Sequence, residues 1–180
     1  KGGYSTFRFD MTDVVKHGDT NVLAVKVDNT VVDDVYPQKA DFTFYGGIYR
    51  NVKMVVTNPV HFDLMDHGSQ GVFIIQEEVS KESALLNIRA NLVNDSNEEK
   101  KVRLWADIFD ANHHVVTYAS KEVILAAGET RTEEMPCAID HPTLWHGRKN
   151  PYMYSANVSM TSYNDTIDEV SIPFGVRYFH

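Results

Sequence analysis

The chain has 180 residues, a formal net charge of −8 and 43% hydrophobic residues, enough for one large or two small domains with real cores. The acidic balance argues against a nucleic acid or an anionic membrane as partner, because both need clustered Lys and Arg, and it fits a neutral ligand such as a sugar. No apolar run reaches the roughly 18–20 residues of a membrane-spanning helix, and no basic-then-apolar signal peptide opens the chain, which says little about compartment.

Apolar residues recur at spacing two nearly everywhere, the period of a β-strand. Phe7 and Phe9 alternate with Arg8 and Asp10. Residues 12–16 then read as one short helical turn, capped by Thr12 and stopped at His17-Gly18. Residues 22–27 (Val-Leu-Ala-Val-Lys-Val) form a second β-run, ended by Asp28-Asn29. The acidic stretch 28–34 lacks the regular ligand spacing of a calcium loop and reads as a solvated connection.

The most informative ten residues follow: Asp41-Phe42-Thr43-Phe44-Tyr45-Gly46-Gly47-Ile48-Tyr49-Arg50. Two adjacent glycines let the backbone turn where a side chain would clash. The aromatics offer apolar faces and Asp41 offers acceptor oxygens for hydroxyl donors, a pairing that suits a sugar ring with its apolar face and polar rim. A Gly-Gly bend between two strands with core aromatics gives the same string, and core packing is the preferred reading for Phe42, Phe44 and Tyr45. Arg50 reads as the partner of a carboxylate elsewhere in the domain. A Val-rich strand, residues 51–56, comes next, and Asn58-Pro59 punctuates the chain. That sets a boundary between a module of residues 1–58 and one of residues 59–180.

In the second module the β-runs are longer: 73–75, 84–93, 102–109, 115–125, 130–139, 153–161 and 167–176, separated by turn-like sequences such as Asn94-Asp95-Ser96-Asn97 and Asp110-Ala111-Asn112. Such a series predicts an immunoglobulin-like β-sandwich with no disulfide between its sheets, since Cys137 is the one cysteine. Trp105 is the expected core anchor. The fold class is all-β.

Few of the remaining polar residues suggest chemistry. Cys137 sits in an apolar setting and reads as a buried structural thiol. His113-His114, His141 and His146 lack a Cys or carboxylate framework for zinc, and neighbouring strand histidines point to opposite faces. Tyr4, Ser5 and Thr6 have no histidine near them in sequence. The run Asn97-Glu98-Glu99-Lys100-Lys101 reads as a solvated hairpin tip.

Several segments together resemble glycoside hydrolase family 2, the family of β-galactosidases, β-glucuronidases and β-mannosidases. The string 41–50 is similar to the signature that closes the family's N-terminal sugar-binding jelly-roll. The opening Gly3-Tyr4-Ser5-Thr6-Phe7-Arg8-Phe9-Asp10-Met11-Thr12 resembles “G-Y-x-P-F-x-x-D-I-T”, and residues 21–29 resemble “N-x-L-x-V-x-V-x-N”. Leu144-Trp145 through Tyr154 resembles the “L-W-S-P-E-x-P-x-L-Y” loop of the family's second domain, and Phe174-Gly175-Val176-Arg177 the “F-G-x-R” strand that leads to the catalytic barrel.

The resemblance implies the C-terminal part of a galactose-binding-like jelly-roll over residues 1–58 and an immunoglobulin-like domain over 59–180. It implies a parent that hydrolyses terminal β-linked sugars with retention, of β-galactosidase type first, with β-glucuronidase and β-mannosidase as alternatives. A free-standing carbohydrate-binding module is the rival from another class. Asp41 is the implied substrate-binding residue, a contact to sugar hydroxyls, and a sodium ion near it is implied for some β-galactosidases.

No catalytic residue carries over. The family's acid/base glutamate follows an asparagine on a barrel strand, and the one Asn-Glu pair here, Asn97-Glu98, lies in the charged turn. Glu77-Glu78 and Glu133-Glu134 sit on strand runs, where adjacent side chains diverge. The chain alone is therefore expected to be inactive, with carbohydrate as partner in the intact enzyme. A half jelly-roll exposes strand edges, and the residues before Asn58 are expected to pair with a second copy of the chain or to lean on the sandwich. The resemblance suggests a bacterial source, cytoplasmic or periplasmic/secreted, in which the Asn-x-Ser/Thr sequons at Asn94, Asn157 and Asn164 carry little meaning.

Overall fold

The protein is described by a computed structural model over residues 6–32, 41 and 43–178. It divides into two compact units, Lys1–Val56 and Thr57–His180. All regular structure among the described residues is β: eight strands, all in the second unit.

The described part of the first unit is held by turns rather than ladders. The carboxylate of Asp10 accepts from the backbone N–H of Thr12 (2.9 Å) and from its hydroxyl (2.6 Å), and the N–H groups of Val14 and Val15 both reach the Met11 carbonyl at 3.0 Å. The cap is therefore Asp10, not Thr12. Its carboxylate takes the Thr12 N–H ahead of the turn, while the Thr12 hydroxyl is occupied as a donor to the same oxygen. A second turn, closed by the Asp19 N–H to the Lys16 carbonyl (3.4 Å), follows and contains Gly18, whose φ of 75° is one that glycine adopts without steric cost. The runs at 7–9, 22–27 and 51–56 form no strand here. A strand needs a neighbouring ladder, and side chains such as Val22 and Val56 lie exposed.

The second unit is a two-sheet sandwich. Its strands are β1 Val60–Phe62, β2 Val72–Val79, β3 Ser83–Asn94, β4 Lys100–Phe109, β5 Val115–Leu125, β6 Thr130–Asp140, β7 Tyr154–Ser162 and β8 Asp165–Phe174. The first sheet centres on β3, with β6 antiparallel along one edge. β1 and β2 share the other edge end to end, Phe62 facing Leu92 and Val72 facing Ala90. The second sheet runs β5-β4-β7-β8. Seven of the strands match the β-runs of the sequence. The three-residue β1 escapes that reading because it is too short to show a period.

The join between β1 and β2 needs a specific glycine. Asn91 is bridged by both segments: its carbonyl accepts from Asp63 N–H (2.8 Å) and its N–H reaches the Gly71 carbonyl (2.7 Å). Gly71 has φ 72°, and a Cβ placed on it would lie 2.7 Å from the backbone N and O of Asp63. No side chain fits that crossing.

Alternation sorts the side chains. Leu86, Ile88, Ala90 and Leu92 of β3 face Leu104, Ala106 and Ile108 of β4 and Ala156, Val158 and Met160 of β7 in one core. Trp105 is not part of it. With Leu104 and Ala106 buried inward, the period of two turns Trp105 outward, where the Arg103 guanidinium lies 5.7 Å from its ring centroid.

Asn94 is the one fully buried polar side chain among the described residues. Its amide donates to the carbonyls of Glu98 (2.9 Å), Leu125 (3.2 Å) and Ala126 (2.8 Å), and its oxygen accepts from the N–H (3.1 Å) and hydroxyl (2.6 Å) of Ser96. It thus ties the β3–β4 turn to the end of β5. At the other hairpin, the carboxylate of Asp110 accepts from the N–H groups of His114 (2.9 Å) and Asn112 (2.8 Å), bonds that hold its carboxyl below the usual range.

Candidate functional site

Asp41 lies on an exposed bend of the first unit. Phe42 falls outside the described residues. Of the other aromatics in the string, Phe44 is half-buried and Tyr45 is 88% exposed, so Tyr45 is not a core residue here. Asn29 holds the segment from behind by donating to the Phe44 carbonyl at 3.1 Å. The glycine pair fits that arrangement. A Cβ on Gly46 would press on the Asn29 amide at 3.1 Å, and Gly47 has φ 112°. Arg50 does not take a carboxylate among the described residues. Its guanidinium lies 5.3 Å from the centroid of the Tyr49 ring, an arrangement its exposed neighbour allows without any charge partner.

In the second unit, two segments far apart in sequence meet. Trp145 N–H donates to the Val176 carbonyl (2.8 Å), and the Arg177 guanidinium lies 5.2 Å from the Trp145 ring centroid. Between them Gly175 leaves no room: an added Cβ would be 3.0 Å from Cβ and Cγ of Trp145. Gln76 completes the clasp. Its amide donates to the Gly175 carbonyl (3.0 Å), and its oxygen accepts from the Arg177 N–H (3.0 Å). The Leu-Trp and Phe-Gly-x-Arg strings are thus two halves of one packing motif. Gln76 is the third member, and no spacing in the sequence announced it.

The carboxylates also group in an unforeseen way. The expected divergence of adjacent pairs fails at Glu77-Glu78, where a bulge after Gln76 leaves both side chains exposed on the outward face, and Glu77 on β2 and Glu134 on β6 both accept from the amide of Asn87 on β3, at 3.2 and 3.1 Å. Both are exposed on the outward face of the sheet. They are surface partners of an amide.

The histidines do not assemble. His113 (φ 63°) and His114 occupy the β4–β5 turn rather than a strand, with His114 Nδ1 3.5 Å from Asp110. His141 follows β6, its Nδ1 3.0 Å from Asp140, and the backbone N–H of His146 bonds to the Asn150 carbonyl in the loop after it. Among the described residues no three His, Cys, Asp or Glu side chains converge as metal ligands. Asp28 is engaged by Thr30 through N–H (3.0 Å) and hydroxyl (2.6 Å), which keep its carboxyl low, while Asp33 and Asp34 lie outside the described residues. So do Tyr4 and Ser5; Thr6 is exposed. Cys137 is half-buried on β6 beside Leu86, and burial pushes its thiol up to about 11, so it stays protonated at neutral pH. A sequon at Asn94 has no function in the folded chain, because every polar atom of that amide is already bonded inside.

The sandwich, its clasp and the exposed Asp41 segment can be set against known proteins. The model of the glycosyl hydrolases family 2 matches residues 70–177, which span the sandwich from β2 to the clasp. The chain belongs to that family. A β-glucuronidase of Bacteroides fragilis is 36% identical over 180 residues, covering all of this chain and 26% of the relative. The β-galactosidase BoGH2A of Bacteroides ovatus is 28% identical over 98% of this chain and 20% of its own length. Among solved structures, Bacteroides uniformis β-glucuronidase 2, covalently bound to cyclophellitol-6-carboxylate aziridine, superposes with TM-score 0.80 at 32% identity over 86% of this chain and 18% of that one. The chain thus spans about a quarter or less of the length of these family members.

Proposed function

We propose that this chain is a non-catalytic segment of a family 2 enzyme that hydrolyses terminal β-linked sugars with retention. Residues 1–58 would be the C-terminal part of its sugar-binding jelly-roll, and residues 59–180 an immunoglobulin-like brace for the catalytic domain. The observation that carries this reading is the clasp. The two segments that mark the family's second domain, Leu144-Trp145 and Phe174-Gly175-Val176-Arg177, pack on each other, with Gly175 lying where an added Cβ would meet Trp145 at 3.0 Å and the Arg177 guanidinium 5.2 Å from the Trp145 ring centroid.

Asp41 is the residue we assign to substrate in the intact enzyme. Its carboxylate can accept from sugar hydroxyls, and charge-assisted bonds of that kind are short and strong. A sodium ion beside it would gain one hard oxygen ligand from Asp41 and its remaining ligands from elsewhere in the enzyme; no step of the reaction runs through it. Retention needs two carboxyl groups about 5 Å apart across one sugar, and those belong to the rest of the enzyme. The chain alone is then inactive.

β-Galactosides are the first substrate class. β-Glucuronides are the second, favoured by the 36% and 30% identities to proteins named β-glucuronidase against 28% and 27% for those named β-galactosidase. The test is Asp41→Ala in the intact enzyme, assayed with aryl β-galactoside and aryl β-glucuronide. Loss of a bond to a charged acceptor predicts a drop of about 10- to 100-fold in kcat/KM on the better substrate. An unchanged kcat/KM removes Asp41 from the site.

A further inference from the structure

The two outward faces of the sandwich differ in how their polar groups are used. On the β3 sheet most are engaged internally: Asn87 to Glu77 and Glu134, Asn91 to Asp66 (2.9 Å) and Thr132 (2.8 Å), and Arg89 to the Phe73 ring (4.9 Å to the centroid), while Asn87 Oδ1 and Arg89 Nε keep no hydrogen-bond partner among the described residues. On the β5-β4-β7-β8 sheet the engaged groups gather at one end, where Lys101 and Arg103 bind Glu122 and Arg103 lies 5.7 Å from the Trp105 ring centroid, and the rows beyond are less used. Register places Tyr118, Asp107, Asn157 and Ser171 in one row across the four strands, and Ser120, Trp105, Ser159 and Glu169 in the next. All point away from the core, since each alternates with buried or inward residues. Among the described residues no side-chain hydrogen bond or ion pair engages Tyr118, Asp107, Asn157 or Ser159.

Two aromatic rings stand in this polar field. Tyr118 is 64% exposed in mid-strand, with no core role. Trp105 is its diagonal neighbour across the β4–β5 pair, a separation of about 7–8 Å that aromatic side chains bridge. An exposed Tyr beside a half-buried Trp, with a carboxylate, an amide and a hydroxyl one or two strands away, provides apolar planes and unused acceptors and donors together. Sugars present that same combination of apolar ring face and hydroxyl rim.

Charge complementarity selects the kind of sugar. The cations at the end of the face are neutralised: Arg103 and Lys101 both bind Glu122 and hold its carboxyl below the usual range. The acids further along, Asp107 and Glu169, have no such partner. An acidic sugar would meet like charge there, whereas neutral hydroxyls would find acceptors.

We propose that this outward face is a carbohydrate-binding surface for a neutral β-linked oligosaccharide, with Tyr118 and Trp105 stacking on its rings and Asp107, Asn157 and Ser159 taking its hydroxyls. The sugar class rests on the glycosidase reading above; the surface itself does not involve Asp41.

The test is a titration of the isotope-labelled 180-residue chain with neutral tetrasaccharides of β-linked glucose, galactose and mannose, and with a β-linked uronic-acid tetramer, followed by amide NMR shifts. The expected result is saturable shifts clustered at residues 105–107, 118–120 and 157–159 with at least one neutral sugar, and binding of the uronate at least about tenfold weaker. Tyr118→Ala should weaken binding at least about tenfold, while Tyr118→Phe keeps most of it. Ser159→Arg, which fills the face and leaves both rings in place, should also abolish it. All three variants are outward-facing and should unfold at the wild-type urea midpoint. Absence of binding by every neutral sugar, shifts confined to the residues around Asp41, or wild-type affinity in Tyr118→Ala would overturn the proposal. The kinetics of Asp41→Ala in the intact enzyme are independent of this face, so either reading can fail without the other.

Discussion

Replacing Asn94 with Ala is the sharpest probe of what holds the sandwich together. The side chain is completely buried at the inner end of β3, a position that alternation would give to an apolar residue. Its removal takes the side-chain donor from the Leu125 carbonyl in a buried setting and the acceptor from the Ser96 N–H, while the Glu98 carbonyl keeps the Ser96 hydroxyl (3.1 Å) and the Ala126 carbonyl keeps the Glu129 N–H (3.2 Å). A buried unsatisfied polar group costs about 1–3 kcal/mol, and the Leu125 carbonyl is the one left most deeply in need, so the expected loss is about 1–3 kcal/mol. Urea unfolding followed by tryptophan fluorescence reads this directly, because the chain's two tryptophans, Trp105 and Trp145, both lie in the second unit. The midpoint should fall with the slope unchanged. Asn94→Asp should be worse at neutral pH, since a carboxylate cannot donate to three carbonyls, and should recover in part as acid protonates it. Asn157→Ala, on the outward face, should stay within about 0.5 kcal/mol of wild type. A loss below about 1 kcal/mol for Asn94→Ala would falsify the reasoning, because the bonds would then be replaceable by solvent.

Two further outcomes follow from single sites. Gly71→Ala puts a Cβ against the Asp63 backbone at a positive φ, and should cost about 2–4 kcal/mol in the same assay; a loss under about 1 kcal/mol means the β1–β2 join is plastic. For Cys137, burial raises the thiol from 9.0 to about 11. The stability linked to this proton is therefore complete below pH 9 and lost as pH rises toward 11, where the unfolded chain ionises first. Iodoacetamide should modify the folded chain at pH 8 about 100-fold more slowly than the urea-unfolded chain, and Cys137→Ala should flatten the alkaline loss of stability. Equal alkylation rates in the two states would refute the burial.

The sandwich was legible because its strands alternate cleanly. From residue 83 to 94 every second residue of β3 is buried, and such a pattern has one reading. The same rule, applied strictly, excludes Trp105 from the core that holds Leu104 and Ala106; size is a poorer guide to burial than parity. Asn94 was not legible, because an asparagine beside Asp95-Ser96 in a turn sequence looks like a surface residue. Only the meeting of two distant chain segments gives it the Leu125 and Ala126 carbonyls, 31 and 32 positions away, beside that of Glu98 in its own turn. The first unit was legible as motif and not as structure. The runs at 22–27 and 51–56 have strand composition, but composition does not supply a pairing edge.

That contrast bears on how the family's strings divide between structure and chemistry. In the sandwich each conserved-looking oddity has a steric cause. Gly175 is glycine because Trp145 lies against it, and Arg177 is fixed at its backbone by Gln76 and at its guanidinium by the Trp145 ring. Nothing in that set is left over for a substrate. In the string 41–50, packing accounts for Gly46 through Asn29 and for Gly47 through its positive φ, but not for Asp41 or Tyr45, which stand exposed on the surface of their unit. A carboxylate and an aromatic ring with no packing role among the described residues are groups of the kind that a sugar could use under the proposed function. The residues left unexplained by packing, Asp41 in the first unit and Tyr118 with Asp107 in the second, are therefore where ligand chemistry is to be sought, and the clasp is where stability is.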